Sequence, residues 1–306
     1  MRRIAAMKTT FVRLAGALVL ALSLGATVLA QEHEEGATPH YPLQQPRHVD
    51  WTFAGPFGKF DPAQLQRGFQ VYREVCAACH SMSMVAFRTL ASETGPHFSE
   101  EQAEALAAEY EITDSEPDAN GDPVLRPGRA SDYLPSPFAN EGQARASNGG
   151  AYPPDLSLMA KARAIVRGFP TFVFDIFTQY QETGPDYIYS LLTGYQEAPA
   201  GTEMLEGQYY NPYFVSGVGI AMPPPLADGQ LTYAQNSDES LENDVPETVD
   251  QYSMDAAAFL MWAAEPHMVE RKSMGLVVMV FLIILAGLVY YTKKKVWAYS
   301  PGEGAY

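Results

Sequence analysis

A mainly α-helical head with loop insertions, carried on one C-terminal transmembrane helix, is the architecture the sequence predicts. Three observations carry it. Helix-start signals followed by apolar or alanine-rich stretches recur between Asp61 and Ala264. The run Met274–Tyr291 holds 18 uncharged residues, about the minimum for an apolar helix crossing ~30 Å of hydrocarbon. Residues 1–30 have the three-part form of a secretory leader, so that the body between leader and anchor lies outside the membrane.

In that leader Arg2, Arg3, Lys8 and Arg13 are the basic region, Leu14 to Leu29 is apolar, and Val28-Leu29-Ala30 offers a small-residue cleavage site. A mitochondrial presequence would be amphipathic and Ser/Arg-rich; the apolar core favours bacterial export. Residues 31–60, rich in Pro and Gly, are expected to form an extended arm over the surface. His33, His40 and His48 in that arm show no metal-ligand spacing.

The first helix is marked by Asp61 as N-cap, Pro62 at the first helical position, and an apolar face of Leu65, Phe69 and Tyr72. It leads into Cys76-Ala77-Ala78-Cys79-His80. Two cysteines two residues apart, with histidine directly after, form the attachment signature of a c-type haem. Each thiol adds to one porphyrin vinyl group, and the histidine is tethered at one face of the iron. The competing readings are a redox dithiol, half of a zinc site and a structural disulfide. A zinc site needs further soft ligands, and the chain has only these two cysteines; a thioredoxin-like dithiol needs a βαβ context. Haem c is therefore the favoured cofactor. A helix running its apolar stripe into this motif fits a class I cytochrome c-like domain, spanning residues 31–270.

Downstream, Ser99-Glu100-Glu101-Gln102 has capping-box form and opens an alanine-rich helix to about Tyr110. Glu111 to Gly128 reads as an exposed acidic loop; Asp118, Asn120 and Asp122 alternate there but lack the rest of a calcium loop. In Ala144–Ser157 a glycine pair and a proline pair make a rigid connection, with Asp155 as cap of a helix to about Val166. Arg163 on that helix could face a haem propionate or simply be solvated. Phe172–Tyr180 reads as core or interface. Pro185–Gly194 reads as a short helix, on which Tyr187 could touch haem or pack.

The sixth iron ligand must come from a histidine or methionine. Met82 and Met84 lie too close to His80; Met159, Met254 and Met261 fall on helices, where packing is the usual role. Met222 stands in Gly217-Val218-Gly219-Ile220-Ala221-Met222-Pro223-Pro224-Pro225, whose glycines let backbone approach a flat ring and whose prolines stiffen the segment. Met222 is favoured, with His97 as the alternative. A second acidic stretch, Asn236–Asp250, precedes a helix from about Ser253 to Ala264 that Glu265-Pro266 ends. The transmembrane helix is placed at 271–292 and a tail at 293–306. Lys293, Lys294 and Lys295 put that tail in the cytoplasm, with the head in the periplasm.

Between residues 31 and 270 there are 35 acidic and 11 basic residues, a net charge of 11 − 35 = −24. Such a head repels nucleic acid and steers basic proteins toward it. No serine triad, phosphate loop or hydrolytic carboxylate pair is present, so no catalytic residue is assigned.

Five ordered segments resemble the cytochrome c1 family, the c-haem subunit of the cytochrome bc1 complex (ubiquinol:cytochrome c oxidoreductase). They are Arg67–Tyr72 running into Cys76–Met82; Pro153–Ser157; Tyr187–Tyr195; Ile220–Pro225; and Trp262–Pro266 before the anchor. The resemblance covers nearly the whole mature chain. It implies that Cys76 and Cys79 carry one haem and that His80 and Met222 are its axial ligands. It also implies that Asn148, Pro153, Pro154, Arg163 and Tyr187 line the haem, Arg163 facing a propionate. The implied activity is single-electron transfer in a respiratory or photosynthetic chain. The implied partners are cytochrome b, the Rieske iron–sulfur protein as donor and a basic cytochrome c as acceptor, in a dimeric complex. An anchored c-type cytochrome serving a terminal oxidase or reaction centre directly is the alternative, and a haem-free periplasmic scaffold the reading from another class. The chain departs from the family in lacking the head disulfide of some bacterial relatives, and in a 165–184 segment longer than in mitochondrial members.

Overall fold

A computed structural model describes residues 41–165, 168–178, 182–234 and 245–298. The leader, His33, His40, most of the second acidic stretch and the last eight residues lie outside them. All described residues belong to one compact unit beginning at Tyr41.

Helix α1 (Pro62–Glu74) starts as expected: the Asp61 side chain accepts a hydrogen bond from the Ala63 N–H, and Leu65, Phe69 and Tyr72 are buried. It packs against α7 (Val249–Ala264), which is capped by Thr248 and begins four residues before the expected start. Gly68 permits the close crossing. A Cβ there would lie 2.1 Å from the Asp255 carbonyl oxygen and 2.6 Å from the Phe259 Cβ. Phe69, Phe259 and Trp262 continue the contact as a chain of rings about 5.6 Å apart. Beside the crossing, fully buried Asp255 receives Arg67 (2.8 Å), Tyr233 (2.7 Å) and Gln251 (2.9 Å). A buried carboxylate is tolerable only when its lone pairs are met in this way.

Helix α2 (Glu100–Ala108) carries the predicted capping box, with both reciprocal Ser99–Gln102 hydrogen bonds formed. The acidic segment after it is not a plain loop. β2 (Glu111–Thr113) pairs antiparallel with β3 (Leu125–Pro127), and Arg126 bonds Asp114 (2.9 Å) and Asp132 (2.6 Å). Two further short ribbons join β1 (Met82–Ala86) to β4 (Tyr133–Leu134) and β5 (Tyr209–Tyr210) to β6 (Gly219–Ile220). The remaining helices of the head are α3 (Glu141–Ser147), α4 (Met159–Ala162), α5 (Thr171–Thr178) and α6 (Thr183–Leu192).

Two other expectations change. The arm is not superficial in its described part: Trp51, Phe53 and Phe60 are buried, Trp51 stacked on Phe53 and Phe60 tilted against it, and Asp186 accepts from the Val49 N–H and from Trp51 Nε1. The helix expected to reach Val166 is the single turn α4, and Asp155 does not cap it. The 165–184 segment contains α5, whose Phe174 is exposed; residues 179 and 180 of the expected apolar run lie outside the described residues.

Helix α8 (Met268–Ala298) continues almost directly from the head. Its 31 residues extend roughly 46 Å at about 1.5 Å per residue, more than a bilayer core requires, and its 18-residue apolar window is fully exposed. Met268 is buried in the head's core, and Lys272 Nζ donates to the Phe53 carbonyl at 2.7 Å. Glu265 accepts from Arg271 (2.7 Å) and Lys161 (2.7 Å). The first turn of the anchor is therefore part of the head.

Candidate haem site

The end of α1 tightens into a 3₁₀ turn, Cys76–Ala78, in which the Cys79 and His80 N–H groups both reach the Cys76 carbonyl (3.1 and 2.8 Å). This sharp turn leaves Cys76 half-buried and Cys79 exposed, both as free thiols. Burial, with Cys79 beside it, pushes the Cys76 thiol up to about 12, as expected of a thiol in apolar surroundings.

His80 is half-buried, and burial lowers its pKa, so the neutral ring is favoured. Its Nδ1 lies 2.7 Å from the Pro154 carbonyl oxygen. In the neutral tautomer that makes this bond, Nδ1–H donates to Pro154 and Nε2 presents its lone pair. A ligating histidine needs this arrangement, with one nitrogen held and the other free for metal. Pro153 is next to Cys79: both line a small cleft of about 210 Å³, with Ala144 of α3 and Tyr152 on its other walls. Asn148 ends α3 and donates its side-chain amide to the Ala144 carbonyl (2.7 Å), closing the helix that borders this cleft.

A second group of residues gathers around Tyr187. This side chain is buried in α6; burial raises its pKa, opposed by the nearby Val215 backbone and by the charge of Arg163. Arg163 itself is exposed at the end of α4. Half-buried Tyr195 donates to the Met222 carbonyl at 3.1 Å and lies within electrostatic reach of Tyr187. Tyr195 thus holds the loop at Met222, while Val215 packs against the apolar cluster that contains Tyr187. Beyond Met222, Leu226, Leu231 and Tyr233 pack with Val71 of α1 and Tyr252 and Ala256 of α7, so the triproline segment is pinned at its exit. Met222 is half-buried and directly follows the β5–β6 ribbon, which gives the loop more order than its sequence suggested.

The two groups share one core: Cys76, Ala77, Leu156, Met159, Tyr187 and Val215 belong to the same apolar cluster. His97 stands apart. It is exposed, has a left-handed backbone (φ 59°), and follows Pro96, whose carbonyl accepts from Gln66 near the start of α1. Gln66 and Cys76 are ten positions apart, most of them along α1, which puts roughly 12 Å of helix between Gln66 and the helix end at Glu74.

Two thiols, an imidazole with its outer nitrogen already bonded, and a thioether on a stiffened loop are the donor set a covalently attached, six-coordinate haem requires. A larger cleft of about 910 Å³ lies elsewhere, against Trp51, Phe174 and Asp186, and offers no such set. Among the described residues no group of three or more His, Cys, Asp or Glu side chains is placed to hold a metal ion. Three contributors were missed in the sequence. Tyr195 and Ser83 make contacts between residues far apart in the chain, and Asp155 was read as a helix cap. An Asp two residues before Ser157 and the Ser81-x-Ser83 pair after His80 were the only local hints.

The sequence model of the Cytochrome C1 family matches residues 51–300. The chain is 59% identical over 251 residues to the cytochrome b/c1 of Bradyrhizobium diazoefficiens, covering 82% of this chain and 35% of that protein. It is 44% identical over 289 residues to the cytochrome c1 of Blastochloris viridis (94% and 97%). It is 45% identical over 249 residues to the mitochondrial cytochrome c1 haem protein of Saccharomyces cerevisiae (81% and 71%).

Proposed function

Because the chain belongs to the cytochrome c1 family, we propose that its head relays single electrons within a cytochrome bc1 complex, from a Rieske iron–sulfur protein to a cytochrome c. The observation that carries this reading is the His80–Pro154 hydrogen bond, which prepares Nε2 as a metal ligand directly beside Cys76 and Cys79. When bound, haem c supplies a one-electron ferric/ferrous couple. The chain's own residues do the rest. Cys76 and Cys79 would hold the haem covalently and His80 and Met222 would ligate its iron, Met222 carried on the loop whose carbonyl Tyr195 bonds. A thioether ligand favours the ferrous state relative to a second imidazole and raises the potential. Arg163 offers a guanidinium for a propionate, while Asn148, Pro153, Pro154 and Tyr187 complete the walls.

The membrane assignment follows the same logic. A single span, α8, holds the head at the bilayer. Its head-side cations are engaged there, Lys272 by Phe53 and Arg271 by Glu265, whereas Lys293, Lys294 and Lys295 stand at the other end. The excess of free positive charge on the tail side supports a cytoplasmic tail and a periplasmic head. The joined name of the Bradyrhizobium protein, only about a third of which this chain spans, supports cytochrome b as partner. The complex is expected to be dimeric.

Purification through a tag on this chain tests the reading. A b-type cytochrome and a Rieske protein are expected to co-purify, with quinol-dependent reduction of a covalent haem. Isolation as a haem-bearing anchor without either partner would instead favour service to an oxidase or reaction centre.

A further inference from the structure

The segment 153–157 meets the strand 81–84 through one side chain. Asp155 Oδ2 accepts from Ser81 Oγ, the Ser83 N–H and Ser83 Oγ, each at 2.8 Å, while Oδ1 accepts from the Ser157 N–H at 2.8 Å. Two further bonds run alongside, from the Leu156 N–H to the Ser81 carbonyl (2.8 Å) and from the Met84 N–H to Ser157 Oγ (3.0 Å). The residues joined are more than seventy positions apart. Within this seam, His80 precedes Ser81 and Pro154 precedes Asp155, so the seam sets the distance between the imidazole and the carbonyl that accepts its hydrogen bond.

We propose that Asp155 is the positioning residue of the haem site: by tying the strand after His80 to the segment carrying the Pro154 carbonyl, it fixes the imidazole's hydrogen bond and so tunes the iron's potential. The proposal rests on the reading of His80 as an axial ligand. Hydrogen bonds from Ser157 and Ser83 outweigh the burial that opposes ionisation and hold the Asp155 carboxyl well below the usual carboxylate range, so a full charge is available to all four donors. An imidazole that donates firmly through Nδ1 gains imidazolate character and stabilises the ferric state. If the seam loosens, that donation weakens and the potential rises.

Asp155→Asn and the double variant Ser81→Ala/Ser83→Ala, each in the intact complex, test this together. The amide has one acceptor oxygen instead of two, and the serine variant removes two donors while leaving the carboxylate charge in place. In Asp155→Asn the ferrous-to-ferric ratio at a fixed poise is expected to rise between about threefold and tenfold, an upward shift of ~28 to ~59 mV at ~59 mV per tenfold for one electron. The serine variant should move the same way by a smaller factor. Both should change the low-spin electron paramagnetic resonance signal, which reports imidazole orientation and basicity. A shift in Asp155→Asn with no change of potential or signal in the serine variant would reduce Asp155 to a distant charge and overturn the proposal, as would no shift in either. Should Asp155→Asn not assemble, the serine variant decides alone. A pyridine haemochrome spectrum of the denatured unaltered chain checks the underlying reading separately: its absence would remove the haem, and the clamp with it.

Discussion

Tyr195 shows how a single hydroxyl can serve a ligand loop it does not belong to. Its phenol donates to the Met222 carbonyl at 3.1 Å, across 27 positions of chain. Tyr195→Phe removes that donor, a loss of about 0.5–1.5 kcal/mol for one hydrogen bond. Amides between Val218 and Met222 are expected to exchange faster with solvent deuterium while α1 amides keep their protection; unchanged exchange there would show the bond to be dispensable. At this scale the attachment motif was fully legible, because its chemistry is local: thiol, thiol and imidazole within five positions. The clamp at Asp155 was not, because its donors lie 72 and 74 positions away and a carboxylate before a helix is read as a cap by default.

Among the elements, the α1–α7 crossing is the one on which the haem motif depends, since α1 delivers Cys76. Gly68→Ala puts a methyl group where the Asp255 carbonyl and Phe259 already stand. Overpacking of this kind costs about 1–3 kcal/mol or more, so calorimetry should show a lower melting temperature for the head. A melting point equal to that of the unaltered protein would mean the helices separate without penalty. The β2–β3 hairpin makes a different prediction, in pH. Hydrogen bonding from Arg126, opposed by some desolvation, lowers the Asp132 carboxyl from 3.8 to about 2 in the folded state. The folded form is the one that holds the carboxylate, so the stabilisation is complete above the unfolded value and fades as pH falls toward 2. Amide protection at Glu111–Thr113 should therefore drop between about pH 4 and pH 2 and be lost at neutral pH in Asp132→Asn; protection that survives both changes would contradict the assignment. Helices were legible because caps are short and explicit, as at Asp61 and Ser99. The hairpin was not: strands of three residues, with Ile112 the one partly buried member of its strand, carry too little alternation to register. The arm was misread for the related reason that Trp51, Phe53 and Phe60 are too few to set a helical period.

For the molecule as a whole, charge and anchor cooperate. A head of net charge −24 between residues 31 and 270 would draw the proposed basic acceptor toward it through a field that salt screens over about 8–10 Å. The second-order rate of electron transfer to a basic cytochrome c should fall steeply as ionic strength rises, and stopped-flow measurement checks it; a rate indifferent to salt would rule out acidic docking. The anchor's first turn is built into the head through Met268 and Lys272, so the head joins α8 without a free tether. This junction could not be seen in the sequence, where Lys272 reads as a flanking charge of the span.

The central claim is that one iron is held between His80 and Met222, residues 142 positions apart. The most direct measurement is a spectroscopic redox titration of the intact complex with Met222 and with Met222→Leu. A one-electron, low-spin haem c is expected in the first; in the second, the thioether charge-transfer band should vanish and the midpoint potential should fall markedly. A variant with the same potential and the same low-spin spectrum would contradict the account, because the sixth ligand would then lie elsewhere.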